Sequence, residues 1–64
     1  MTDSDLLDVE QAARYLTTSR RTLYRAISRG RLRMVKVEGS TRFRQSELDR
    51  YLREREREAR GRVA

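Results

Sequence analysis

Apolar residues recur at helical spacing in two short windows near the start of the chain. Val9, Ala12, Ala13 and Leu16 stand at i, i+3, i+4 and i+7, the stripe of an amphipathic helix. Asp8 precedes them and Gln11 follows three residues later, a pair that resembles a capping box. This predicts helix 1 from about Val9 to Leu16. Leu23, Ala26 and Ile27 form the second stripe. Ser19 is its expected N-cap and Gly30 its expected terminator, giving helix 2 from about Arg20 to Arg29. Thr17-Thr18-Ser19 is the turn between them. The alanines of helix 1 leave room for a second helix to approach closely.

From Leu32 the period changes from helical to alternating. Met34-Val35-Lys36-Val37, then Glu38-Gly39-Ser40, then Thr41-Arg42-Phe43-Arg44 reads as a two-stranded β-hairpin. Val35, Val37 and Phe43 are expected to face the core, with Lys36 and Arg42 outward. A hairpin of this size is not stable alone and must pack on the helices. A last helix begins near Gln45 or Ser46, with Ser46 and Asp49 at capping-box spacing and Leu48, Tyr51 and Leu52 on its apolar face. Beyond Leu52 the apolar face ends in Arg53-Glu54-Arg55-Glu56-Arg57-Glu58. Opposite charges there fall at i, i+3 and like charges at i, i+4, so attraction and repulsion partly cancel. The helix is expected to fray beyond about Glu56. Residues 1–5 read as a disordered acidic lead-in, 6–56 as the folded domain and 57–64 as a frayed or disordered tail. The fold class is α+β, mostly α: a small winged helix-turn-helix, in the order helix, turn, helix, two-stranded hairpin wing, C-terminal helix.

The charge pattern adds a partner to this plan. The net charge is +6, but it is unevenly placed. Residues 1–10 carry −4, residues 11–44 carry +9 and residues 45–64 carry +1. A basic segment so concentrated is the electrostatic footprint of a polyanion. All but one of the 16 basic residues are arginine, the side chain that forks onto phosphate or guanine. Codon bias accounts for part of that richness, though not for its clustering.

Other chemistries find little support. The chain has no cysteine and no histidine. No disulfide supports the fold, and the commonest zinc ligand and general acid–base residue are missing. No nucleophile stands with an orienting base, and there is no glycine-rich phosphate loop. The expectation is a binding protein and not an enzyme, with no catalytic residue, metal or cofactor. The acidic start and the lack of a long apolar run argue against a signal peptide or a membrane partner. The bacterial cytoplasm, on the nucleoid, is the expected location.

Leu6 through Leu16, followed by Ser19-Arg20-Arg21-Thr22-Leu23-Tyr24-Arg25, resembles the excisionase-type, MerR-like DNA-binding domains. Gly30-Arg31-Leu32, Val35-Lys36-Val37, Arg42-Phe43 and Leu48-Asp49-Arg50-Tyr51-Leu52 extend the resemblance over about residues 6–52. The family includes phage and plasmid excisionases, also called recombination directionality factors, and small transcription regulators. The resemblance implies helix 2 in the major groove and the wing along the backbone or in the adjacent minor groove. Larger MerR-class members carry a long dimerisation helix and an effector domain. The chain ends soon after Leu52, so no small-molecule effector is expected, and the excisionase branch is favoured.

On this reading Arg20, Arg21, Thr22, Tyr24, Arg25 and Ser28 are the DNA-binding residues of the recognition helix, and Lys36, Ser40, Thr41 and Arg42 those of the wing. The bland alternative for the arginines is a solvated basic face. Tyr24 either meets sugar and phosphate or covers the edge of the core. Arg42 either enters a minor groove or pairs with Glu38 or Glu47. Arg14, Arg29, Arg31 and Arg33 read better as solvated. The expected partners are double-stranded DNA carrying attachment-site repeats, neighbouring copies of the chain and a site-specific integrase. Two other functions stay open: a small MerR-like transcription regulator without an effector domain, and an adaptor for an acidic protein.

Overall fold

The computed structural model describes residues 6–62. The expectations for residues 1–5 and 63–64 lie outside them. The elements are β1 (Leu6–Leu7), α1 (Val9–Tyr15), α2 (Arg20–Ser28), β2 (Val35–Val37), β3 (Ser40–Arg44) and α3 (Gln45–Arg62).

Both short helices start on side-chain caps. The Gln11 N–H donates to Asp8 Oδ1 at 2.8 Å and the Asp8 N–H donates to Gln11 Oε1 at 3.0 Å. The capping box is therefore complete and satisfies two donors that a helix start would otherwise leave unpaired. For α2, the Thr22 N–H donates to Ser19 Oγ at 3.2 Å. Both helices end in the same hydrogen-bond pattern. The Thr18 N–H reaches the Ala13 carbonyl and the Thr17 N–H the Arg14 carbonyl. The Arg31 and Gly30 N–H groups repeat this with the Ala26 and Ile27 carbonyls. This is the Schellman motif, which needs a left-handed residue just past the helix. Gly30 supplies it at φ +74° without strain, whereas the β-branched Thr17 supplies it at φ +55°.

The sheet corrects the expectation of a two-stranded wing. Its order is β1-β3-β2, all antiparallel. β2 covers only Ser40–Arg42 of the longer β3, and β1 takes the remainder, pairing Leu6 with Arg44 and Leu7 with Phe43. Two residues are too short to show a period, so the strand was invisible in the apolar pattern.

The hairpin register corrects a second expectation. Glu38 at φ +51° and Gly39 at φ +83° form a two-residue loop, so Val37 faces Ser40, Lys36 faces Thr41 and Val35 faces Arg42. Directly opposed residues share a face, and successive residues alternate. Phe43 therefore shares the inner face with Leu7, Thr41 and Lys36, while Val35 and Val37 lie on the other face with Arg42. Val37 is 38% exposed. Lys36 and Arg42 project from opposite faces, and Lys36 Nζ donates to Thr41 Oγ1 at 3.1 Å.

The core is Ala12, Leu23, Ala26, Leu32, Phe43, Leu48 and Tyr51, bordered by Leu7, Val9, Ala13, Leu16 and Ile27. Every helix and the central strand contribute to it. Phe43 and Ala12 are fully enclosed. Each large buried apolar side chain stabilises the fold by about 1.5–3 kcal/mol, a large share for so small a domain. Leu32, in the connection after α2, belongs to this core although it falls in no periodic stripe.

α3 follows β3 without an intervening residue. Asp49 does not complete a capping box with Ser46. Its Oδ1 accepts from the Tyr15 hydroxyl of α1, and that hydroxyl oxygen accepts in turn from Gln45 Nε2 at 3.5 Å. α3 also continues to Arg62, so residues 57–62 are helical and not a frayed tail. Ion pairs explain the extension. Glu58 pairs with Arg31 across the fold and lies 3.5 Å from Arg55, and Glu54 lies 2.8 Å from Arg50. Exposed pairs are individually weak, but Arg31 ties this end of α3 to the connection after α2.

Candidate nucleic-acid interface

α2 presents three distinct surfaces. At about 100° per residue, Leu23, Ala26 and Ile27 point at the core. Arg21, Arg25 and Ser28 form the opposite crest, and all three are exposed. Arg20 and Tyr24 occupy the flank towards the wing. Thr22 and Arg29 occupy the flank towards α3.

The wing flank brings several of the expected residues together. Arg20 and Tyr24 line an open groove with Ser40, Thr41 and Arg42 of β3 and with Asp8, Val9 and Glu10 at the start of α1. Tyr24 is 47% exposed, so its ring is a wall of this groove more than a lid on the core. Arg42 is half-buried, and its Nη1 donates to the Thr41 carbonyl at 3.1 Å. It pairs with neither Glu38 nor Glu47. Lys36 sits on the outer strand, reaching Thr41. Arg21, Arg25 and Ser28 on the crest do not line this groove, and neither does Thr22, which faces α3 beside Arg25, Arg29, Tyr51 and Arg55.

The start of α2 is strongly electropositive. Its first turn holds no acid, although a helix N-terminus carries about half a positive charge and favours anions. Arg20 and Arg21 add two cations where the dipole disfavours them. Glu10 of α1 offsets one, with its Oε2 2.8 Å from Arg20 Nη2. No described carboxylate stands within ion-pair distance of Arg21 or Arg25. A helix start and the arginines beside it attract the same kind of group, an anion.

This arrangement is a helix crest flanked by a strand ribbon. The helix-turn-helix domain family matches residues 6–56, most of the chain. The protein belongs to that family. It is a family of DNA-binding domains that includes excisionase-like proteins, and membership points to DNA as the partner and to binding in place of catalysis. No curated protein and no solved structure shows a significant match. Among the described residues, no helix is long and apolar enough to cross a membrane.

A second polar cluster buttresses the helix-turn-helix domain from behind. Glu47 accepts from the Arg33 N–H at 3.1 Å and from Arg50 Nε at 3.1 Å, and Arg50 Nη2 donates to the Arg31 carbonyl at 2.9 Å. These bonds fasten the connection between α2 and β2 to α3, and so hold α2 and the hairpin in a set relation. The Arg50 side chain holds the Glu47 carboxyl below its ordinary pKa, helped by the Arg33 N–H and opposed by burial. Glu47 in turn raises the Arg50 guanidinium above its already high value. The Tyr15 phenol is raised because it donates to Asp49 and so favours its protonated form. Glu47 and Arg50 stand at i, i+3 on one helix, but the contacts to Arg33, Arg31 and Tyr15 join residues 14 or more positions apart, and no local pattern pointed to them.

Proposed function

We infer that the chain is a sequence-specific double-stranded DNA-binding protein of the excisionase-type, MerR-like class. It acts as a recombination directionality factor, binding attachment-site repeats in adjacent copies, bending the DNA and steering an integrase towards excision. The observation that supports the reading is the crest of Arg21 and Arg25, with no described carboxylate within ion-pair distance, beside a flank where Arg20 and Tyr24 line one groove with Ser40, Thr41 and Arg42 of the hairpin. Arg21 and Arg25 are the base-reading candidates, because they stand furthest out and are unopposed. Ser28 completes the crest towards its C-terminal end. Arg20, Thr22, Tyr24, Lys36, Ser40, Thr41 and Arg42 hold sugar and phosphate on either side. A single module of this kind buries only about 600–1,000 Å², so useful affinity calls for neighbouring copies. Bending a 20–30 bp site costs on the order of 1–6 kcal/mol, which several copies offset through phosphate contacts.

The decisive experiment pairs a footprint with a recombination assay. The chain is added to a site-specific integrase and its attachment sites, and excision and integration are scored. Stimulated excision is expected. Specific duplex binding with no effect on either reaction transfers the chain to the transcription-regulator reading. Failure to bind duplex even at low salt leaves the adaptor for an acidic protein.

A further inference from the structure

A small cleft lies between α2 and α3, on the side of the recognition helix away from the wing. It is lined by Thr22, Arg25, Arg29, Arg31, Tyr51 and Arg55. Four arginines from α2, its C-terminal cap, the following connection and α3 thus border one space. Like charges gathered in this way repel, and a single carboxylate stands against them. Glu58 pairs with Arg31 and lies 3.5 Å from Arg55. The Arg55 guanidinium also lies 6.0 Å from the centroid of the Tyr51 ring, within the range of a cation–π contact. Arg25 and Arg29 have no described carboxylate within ion-pair distance. The cleft therefore carries a net positive charge.

We propose that this cleft binds a backbone phosphate of duplex DNA, on the strand across the major groove from the wing. The inference rests on the DNA-binding reading of α2 and extends it to α3. A helix with its side chains is about 10–12 Å across, and the major groove of B-DNA is about 12 Å wide. A helix seated there turns its two flanks towards the two sugar–phosphate strands. The wing serves one flank. On the other, Arg29 and Arg55 are the phosphate ligands, and Tyr51 steadies Arg55. Glu58 occupies the position of a resident anion: its longer contact, to Arg55, yields to the phosphate, while its pair with Arg31 stays and keeps the cleft closed at its base.

The test is a salt titration of the full chain on a duplex carrying its footprinted site and on an unrelated duplex. Each phosphate contact contributes about −0.9 to the slope of log K against log salt. Arg55→Ala and Arg29→Ala are each expected to reduce the slope magnitude by about 0.9 and to weaken both duplexes by the same factor. Glu58→Gln removes the competing charge while its amide oxygen can still accept from Arg31, and it is expected to tighten both, an effect opposite to that of a merely structural loss. Melting curves establish that each variant is folded. Unchanged slopes in Arg55→Ala and Arg29→Ala, with Arg21→Ala and Arg25→Ala impaired, overturn the cleft assignment and leave the role of α2 intact. A wild-type chain that binds no duplex overturns both. A saturable response of the Arg55 guanidinium to millimolar inorganic phosphate at constant ionic strength, with no loss of DNA binding in Arg55→Ala, reassigns the cleft to a free anion and also overturns it.

Discussion

α2 and α3 are both rich in arginine, yet they handle its charge in opposite ways. α2 holds three arginines and no acid in nine residues, while α3 holds six arginines and five acids in eighteen. On α3, Arg50 and Arg55 are paired within the helix, and Glu58 binds Arg31 from outside it. On α2, only Arg20 has a described partner, supplied by α1. Arg50 and Arg55 therefore build structure on α3, whereas Arg21 and Arg25 on α2 have no described carboxylate within ion-pair distance. Arginine content alone does not distinguish the two helices; the five acids interleaved with it on α3, and absent from α2, do.

The largest expected effect breaks the buried side of α2. Leu23 is 1% exposed, and Leu23→Ala is expected to cost about 2–5 kcal/mol, enough to unfold a marginal domain in a thermal melt followed by circular dichroism. Arg21→Ala, on the same helix but on the crest, is expected to leave the melt unchanged. A matching loss in both would place the crest in the core.

The next effect tests the contrast between the helices directly. Arg21→Ala and Arg25→Ala are each expected to weaken specific DNA binding by about 1–3 kcal/mol, the range of a bidentate base contact. Arg53→Ala and Arg57→Ala on α3, exposed and outside both grooves, are expected to change it little. Equal losses from all four in a fluorescence-anisotropy titration would mean that binding follows total charge and ignores its placement.

A smaller effect lies in the turn that delivers α2. Thr17 and Gly30 do the same backbone task at the ends of α1 and α2, and only Thr17 does it under strain. Removing the β-branched side chain relieves a left-handed penalty of about 1–2 kcal/mol, partly offset by the greater freedom of glycine in the unfolded chain. Thr17→Gly is therefore expected to raise the melting temperature modestly, and Gly30→Ala to lower it. A lower melting temperature for Thr17→Gly would show that the threonine side chain contributes more than its backbone costs.

The smallest effect concerns acid. The Glu47 carboxyl is held below its ordinary value near 4.5 by Arg50. Its contribution to stability is therefore complete above that ordinary value and is lost as pH falls through the lower, folded one. Thermal melts from pH 7 to pH 3 are expected to show a decline that Glu47→Gln reduces, with a lower starting melting temperature at pH 7. An unchanged decline would assign the acid sensitivity to other carboxylates.

Local pattern was enough to reveal the elements that begin and end on their own residues. The Asp8–Gln11 box, the Ser19 cap, the Gly30 terminator and the apolar stripes of α1 and α2 each rest on side chains within four positions of one another, and each stands where periodicity and capping chemistry put it. The outward crest of Arg21, Arg25 and Ser28 was legible for the same reason, since a helix of known start and buried face has only one exposed side. Tertiary packing alone decided the rest. β1 pairs with the edge of β3 opposite β2, the face of Val35 and Val37 depends on a two-residue loop that shifts the register by one, and the last turns of α3 are tied back where Glu58 meets Arg31 from 27 positions away. The cleft of Arg25, Arg29, Arg31 and Arg55 belongs with these. Its members come from separate segments, and no spacing along a chain encodes the distance between two helices that pack side by side.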